Sequence, residues 1–368
     1  MPDTPGAPAT AGVHADHVPS SPVNLAPRSA SGRVVAAVVL GGSLALSACS
    51  GGSEAKATKP SSPSPSPSES SSSAPPPPPQ PSRLSGRMGK TDGPVYAVKV
   101  DNTHNAHPQV GLSKADVVYV EQVEGGVTRL AAIFSSEYPK FVGPVRSGRI
   151  TDIDLLKQYG TVGLFYSGSQ NKLADNLQRA DLKLVSFDQD HTGYTRSPAR
   201  PMPYDVIGTF DRLRERAGKV DTPPEMGYTF GPAPAGGKPV KALTVSYPSA
   251  RVGAVWSAPK KRWLLSMDGA KDRAAEGGQL GATTFVAQFV TVQPSAYHDI
   301  NGANTPQTLT VGKGRALIFR DGQVFEGQWS RGKASDVTSY TINGQPASFA
   351  AGQVWVALIG RDRPVTTR

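Results

Sequence analysis

The chain has 368 residues, and Lys plus Arg exceed Asp plus Glu by 39 − 29 = 10. Residues 50–82 are almost wholly Ser, Pro, Gly, Ala, Lys and Glu, which excludes them from any apolar core and leaves roughly 285 residues, enough for two ordinary domains. The basic excess favours anionic partners, and the single cysteine, Cys49, excludes a disulfide framework.

Arg28 and Arg33 precede a mostly apolar stretch, 34–48, that ends in small residues. This order of charge, apolar core and small residues is that of a secretory signal. The stretch falls short of the ~20 apolar residues of a membrane span. Leu46-Ser47-Ala48-Cys49 resembles the bacterial lipobox. That resemblance implies cleavage before Cys49, acylation of its thiol (palmitate) and anchoring at the outer face of the bacterial cytoplasmic membrane. Two acyl chains hold a protein on a membrane where one does not. Residues 1–27 form a polar extension that signals rarely carry, so translation is expected to start further in. Residues 1–48 are therefore read as the signal region, and 49–82 as the lipidated cysteine with a Pro/Ser-rich tether. Ser-Pro repeats and the run Pro75–Pro79 favour extended polyproline II at ~3.1 Å per residue, a spacer.

The folded body is expected as an α+β or α/β N-terminal domain (83–222), a Pro/Gly-rich linker (223–239) and a mostly β C-terminal domain (240–368). Residues 95–100 and 117–123 read as strands, and 127–134 returns after Gly125-Gly126 as the second arm of a hairpin. Residues 151–159 read as a helix with Ile153, Leu155, Leu156 and Tyr159 on one face. A strand over 161–166, a helix through Arg179, a strand over 182–187 and a helix over 204–217 follow. Beyond the linker the runs 243–247, 252–256, 262–266, 284–292, 315–319 and 354–359 read as strands. Asp268-Gly269, Asp321-Gly322 and Asn343-Gly344 supply hairpin turns between such runs.

Charge concentrates between Glu121 and Asp154. Glu121 and Glu124 flank the Gly-Gly turn, with Arg129 after it. Arg146, Ser147 and Arg149 lie in a Gly/Pro-punctuated loop ahead of the helix. Arginine forks with a helix start suit a phosphate or carboxylate. Arg129, Arg146, Ser147 and Arg149 are the candidate ligand-binding residues, with Asp101 and Glu124 ordering the cations. A structural ion-pair network is the plain alternative. A second functional reading is a wall-active hydrolase with Asp101, Glu121 or Glu124 as acid and base. Because Glu121 and Glu124 are three apart, an extended strand would point them to opposite sides. Ser167-Gly168-Ser169 precedes a helix, as its N-cap or as an anion seat.

No metal site is expected: His104-x-x-His107 and Asp188-Gln189-Asp190-His191 lack a ligand spacing that binds zinc or calcium. No cofactor fingerprint is present. The export signal and the lack of a reading motif argue against nucleic acid. The basic surface then faces anionic lipid headgroups or phosphate-bearing wall polymers, with an envelope protein as the other partner class. Trp256 and Trp263, flanking Lys260-Lys261-Arg262, read as core aromatics rather than a sugar platform.

The body also resembles a known family. The residues that carry the resemblance are 98–102 (Val-Lys-Val-Asp-Asn), 108–119, 123–129 (Val-Glu-Gly-Gly-Val-Thr-Arg) and 143–149 (Gly-Pro-Val-Arg-Ser-Gly-Arg), with looser matches at 314–322, 327–329, 343–344 and 352–356. The chain is similar to the YerB-like bacterial lipoproteins, a domain of unknown function with N- and C-terminal portions. The resemblance covers most of residues 90–360 and implies an envelope lipoprotein without naming an activity. Where that family carries a Pro-His-Asn type segment, this chain has Met202-Pro203-Tyr204-Asp205.

Overall fold

The computed structural model describes residues 80–368. The signal region, Cys49 and the tether as far as residue 79 lie outside the described residues.

Among the described residues, fifteen strands of three or more residues make up the two main sheets, and three α-helices pack on them. In chain order the strands are β1 (Tyr96–Asp101), β2 (Val117–Gln122), β3 (Thr128–Phe134), β4 (Val162–Tyr166), β5 (Leu182–Ser186), β6 (Ala242–Ser246), β7 (Arg251–Ser257), β8 (Arg262–Met267), β9 (Thr284–His298), β10 (Asn304–Leu309), β11 (Gly312–Arg320), β12 (Gln323–Arg331), β13 (Ser339–Ile342), β14 (Val354–Gly360) and β15 (Val365–Thr367). The helices are α1 (Ile150–Leu156), α2 (Asn171–Arg179) and α3 (Phe210–Ala217). All three helices lie ahead of the Pro/Gly-rich stretch and strands dominate after it, so the mixed first half and β-rich second half are as expected.

The main sheet runs β13-β12-β11-β9-β14-β2-β3-β1-β4-β5. Parallel pairing of β2 with β14, Val117 opposite Val354 through Val120 opposite Ala357, carries the sheet across the two halves. The linker expected at 223–239 therefore does not separate two cores. Burial explains why. Successive residues of β14 alternate between two apolar clusters: Trp355, Ala357 and Ile359 enter one, Val354, Val356 and Leu358 the other. Strands buried on both faces read as unbroken apolar runs and need cover on each side. On one side α1 and α2 contribute Leu155, Leu156, Leu173 and Leu177. On the other, α3 and a second antiparallel sheet (β8-β7-β6-β15) contribute Phe210, Leu213, Val245, Val252 and Leu265. Trp263 is fully buried in that cluster and Trp256 packs against it, with ring centroids 5.3 Å apart.

Two boundaries differ from the sequence reading. The helix expected over 204–217 begins only at Phe210. Val206–Thr209, rich in β-branched residues, pairs instead with Phe141–Val142 and Tyr194–Arg196 in a small sheet. The helix expected over 151–159 is α-helical to Leu156 and closes with a 3₁₀ turn at Lys157–Tyr159.

If the halves share one sheet, truncating a side chain in the second half must loosen the first. Trp355→Ala is expected to cost ~3–5 kcal/mol and to lower a single denaturant midpoint. Amide exchange should show β1–β3 losing protection together with β9 and β14. Loss confined to β9 and β14 would mean two independently stable domains.

Candidate functional site

The hairpin turn sets the site. β2 ends at Gln122, and a 3₁₀ turn, Glu124–Gly126, leads into β3. Gly125 and Gly126 adopt φ of +67° and +74°, and a Cβ on Gly126 would lie 2.5 Å from Pro248 Cβ. Only glycine meets both demands at that position.

Strand register places the charges in a row. Arg129 of β3 is directly opposite Asp101 of β1 on one side and Glu121 of β2 on the other. Ala97, Tyr119 and Ala131 of these strands enter the cluster beneath α1 and α2. With a period of two, Lys99, Asp101, Glu121 and Arg129 face that same side. Glu124 joins them because the turn folds it back. The expectation that Glu121 and Glu124 point apart fails here, since an extended strand does not reach Glu124.

Beneath the row lies a sealed triad. The Lys99 Nζ donates to Glu121 Oε1 at 2.8 Å and to Asp152 Oδ1 at 2.7 Å, and all three side chains are buried. Burial pushes down on the lysine, but Asp152 and Glu121 outweigh it and hold its pKa above the ordinary value. One cation cannot neutralise two carboxylates in a dry site. Burial, opposed by Lys99 and reinforced by Asp152, lifts Glu121 to about 7. Its Oε2 is buried without a hydrogen-bond partner among the described residues. The other Asp152 oxygen accepts the Arg149 backbone N–H at 2.6 Å, which ties the start of α1 to the triad.

Above the row, two arginines are paired. Arg146 Nε donates to Asp101 Oδ2 at 2.8 Å, and Asp101 Oδ1 accepts the Thr103 N–H at 2.8 Å. Burial works to raise Asp101, yet the Thr103 hydrogen bonds and Arg146 hold it below the usual carboxylate range. Arg149 donates through Nη2 and Nε to Glu124 Oε2 at 2.7 and 3.2 Å, and Thr305 donates its hydroxyl to Glu124 Oε1. Burial opposes, but Arg149 and Thr305 keep Glu124 below its ordinary value too.

Arg129 is the exception. It is 9 % exposed, and its Nη1 is buried with no hydrogen-bond partner among the described residues. Burial first, then the neighbouring Arg149 and Arg146, drives its pKa down to about 9, so it remains a cation at neutral pH.

These side chains line a cavity of ≈ 820 Å³. Arg129, Arg146, Ser147, Arg149 and Glu124 form one part of its wall, and Gly168, Ser169 and Gln170, just ahead of α2, form another. Gln170, not Ser169, is the residue before the helix, and it makes no side-chain cap. Its Oε1 is also buried without a partner. A Cβ on Gly168, at φ +86°, would lie 2.8 Å from Ser147 Oγ, so the close approach of the two loops there requires a glycine. The long β9–β10 hairpin supplies the remaining wall with His298 to Asn301 and Thr305.

Two family models match this chain: protein of unknown function (DUF3048) N-terminal domain over residues 84–223, and the DUF3048 C-terminal domain over 243–356. The chain belongs to the DUF3048 family. Within it, the chain is similar to YerB, a lipoprotein candidate of Bacillus subtilis (strain 168), at 26 % identity over 273 residues, or 72 % of this chain and 80 % of YerB. The crystal structure of Bacillus subtilis YerB shares the fold, with a TM-score of 0.67 and 22 % identity across 78 % of this chain and 99 % of that one. In this DUF3048 chain the ligand-binding candidates Arg129, Arg146, Ser147 and Arg149 all reach the cavity. Of the three candidate carboxylates only Glu124 lines it, while Glu121 is sealed on Lys99 and Asp101 sits behind Arg146. Lys99, Asp152 and Thr305 were not singled out from the sequence. Lys99 carried the one available signal, a lysine inside an otherwise apolar strand. His107 lies elsewhere, its Nδ1 3.1 Å from Asp272 Oδ1, and His191 stacks on Phe187.

The triad has a pH signature. Between the ordinary 4.5 of Glu121 and its folded value of about 7, the unfolded chain has lost a proton that the folded chain keeps. Stability therefore falls as pH rises through that window, by roughly 1–3 kcal/mol, and levels off above it. Glu121→Gln should flatten that slope in denaturant titrations run across pH. Lys99→Met leaves two buried carboxylates without a cation and is expected to cost ~3–5 kcal/mol at neutral pH.

Proposed function

We propose that the cavity binds the anionic group of an envelope ligand through Arg129, Arg146 and Arg149, with Ser147 beside them. The protein acts outside the cytoplasmic membrane, held by a lipid on Cys49. The lipobox-like Leu46-Ser47-Ala48-Cys49 and the similarity to YerB, a lipoprotein candidate, support the anchor.

One observation carries the binding reading. Arg129 is a buried cation whose Nη1 has no partner, and it lines an open cavity. Leaving a buried charge unpaired costs several kcal/mol (roughly 3–5 by analogy with broken buried pairs) unless something compensates it. A ligand anion compensates it. The carboxylates favour binding over hydrolysis. Asp101 is held ionised by Thr103 and Arg146, Glu124 by Arg149, and Glu121 is turned away on Lys99, so none of the three candidate carboxylates offers a protonated acid to the cavity.

Replacing Arg129 separates ligand binding from a structural role. In wild type, inorganic phosphate at 100 times its dissociation constant is expected to stabilise by ~2.7 kcal/mol, read as a rise in thermal midpoint. Arg129→Met should abolish that rise, while its own midpoint without phosphate equals or exceeds that of wild type, because an orphan charge has been removed. A destabilised Arg129→Met together with no phosphate effect in wild type would make the cluster a structural ion-pair network.

A further inference from the structure

Resting on that reading, we infer that the ligand is an organic phosphate, with its phosphate at Arg129 and Arg146 and an aliphatic body extending beneath the β9–β10 hairpin.

The donor arrangement favours phosphate over carboxylate. Arg146 uses its Nε on Asp101, and its two terminal nitrogens make no hydrogen bond among the described residues. Arg129 Nη1 is likewise unpartnered. Arg129 comes from β3, Arg146 and Ser147 from the loop before α1, and Ser169 from the loop before α2. A planar carboxylate is satisfied by one fork. Donors arriving from three elements suit an acceptor with three outward oxygens. The start of α2, a nine-residue helix, adds its amide end to the same wall.

The cavity is much larger than a phosphate. Its ≈ 820 Å³ sits in the ~300–1,000 Å³ range of sites that enclose whole small molecules. Besides the arginines its wall carries an apolar set, Val123, Val127, Leu173, Pro203 and Ile300, alongside polar residues of the hairpin such as His298, Asp299 and Asn301. Ile300 decides the matter. It stands at the tip of the β9–β10 hairpin, is 99 % exposed, and is the most exposed large apolar side chain among the described residues. An isoleucine without a protein partner, placed on the rim of a cationic cavity, has its contact supplied by the ligand. The hairpin is fastened where it matters, since Thr305 donates to Glu124 and Asn176 of α2 donates to the Tyr297 hydroxyl. The stem of the hairpin is thus tied to the β2–β3 turn and to α2, and its tip forms part of the wall of the same cavity as the arginines.

Titration calorimetry on the purified chain with inorganic phosphate, octyl phosphate below its micellar concentration, and an oligomer of glycerol phosphate tests this. Octyl phosphate should bind at least ~10-fold tighter than inorganic phosphate, since each buried methylene adds favourable transfer energy. Ile300→Ser, a change at an exposed tip, should remove most of that advantage and leave inorganic phosphate unaffected. Arg129→Met should abolish both. Equal affinity for inorganic and octyl phosphate, or tighter binding of the glycerol phosphate oligomer, would overturn the aliphatic assignment and leave the anion site standing. Octyl phosphate binding that survives Arg129→Met would overturn both the assignment and the anion site.

Discussion

The ammonium of Lys99, held between Glu121 and Asp152 with no access to water, fixes everything around it. Removing three charges from water is costly, and only close contact with full hydrogen bonding recovers the cost. The contacts here join β1, β2 and α1 at one point. From there the constraint passes outward. Asp152 also holds the Arg149 backbone, Arg149 holds Glu124, and Glu124 holds Thr305 of β10. A chain of hydrogen bonds thus runs from the dry core to the cavity wall and sets the positions of Arg149 and Glu124 from below.

Charge accounting then isolates one residue. Four cations (Lys99, Arg129, Arg146, Arg149) face four carboxylates (Asp101, Glu121, Glu124, Asp152). Asp101 takes Arg146, Glu124 takes Arg149, and Asp152 takes Lys99. Glu121 shares Lys99 with Asp152, so Arg129, opposite Glu121 across β2 and β3, is the cation left without an ion pair among the described residues. Burial, opposed by Lys99 and reinforced by Asp152, raises Glu121 to about 7. Arg129 feels the negative charges of Asp101 and Glu124, but each of these is already paired with another arginine. The cluster is close to neutral as a count and cationic as a surface, and the cationic part faces the cavity.

Much of the fold was legible because local rules and tertiary packing agreed. Asp268-Gly269, Asp321-Gly322 and Asn343-Gly344 all adopt positive φ at both positions, as two-residue hairpin turns require. The arginines were legible for a different reason, because Gly-Pro-Val-Arg-Ser-Gly-Arg has too little apolar content to be core. Less could be read where partners lie far off in the chain. Lys99 sits in Val-Lys-Val-Asp, where both faces of the strand are buried, so period alone does not say which side it serves. Glu124 was misplaced because a turn after Gln122 changes the direction of side chains that strand geometry predicts. Val206–Thr209 favoured strand locally, but the apolar spacing of Val206, Phe210 and Leu213 also fits a helix. Pairing with Phe141–Val142 decided between them.

The joining of the two halves has a consequence for the site. Glu124, Arg129, Arg146 and Arg149 come from the first half, while Ile300 and Thr305 come from the second. β2 and β14 hold these halves in register along four residue pairs. β9 is bound to β14 over seven pairs, then runs on past the edge of that pairing into the hairpin that forms part of the cavity wall. The hairpin is thus positioned by a strand rooted in the shared sheet rather than by a loop. Neither half alone encloses the cavity: the first would present an open row of charges, and the second a bare hairpin. A rigid sheet is what brings the cation and the apolar tip within reach of one molecule, and a jointed pair of domains would lose that spacing with each swing of the linker.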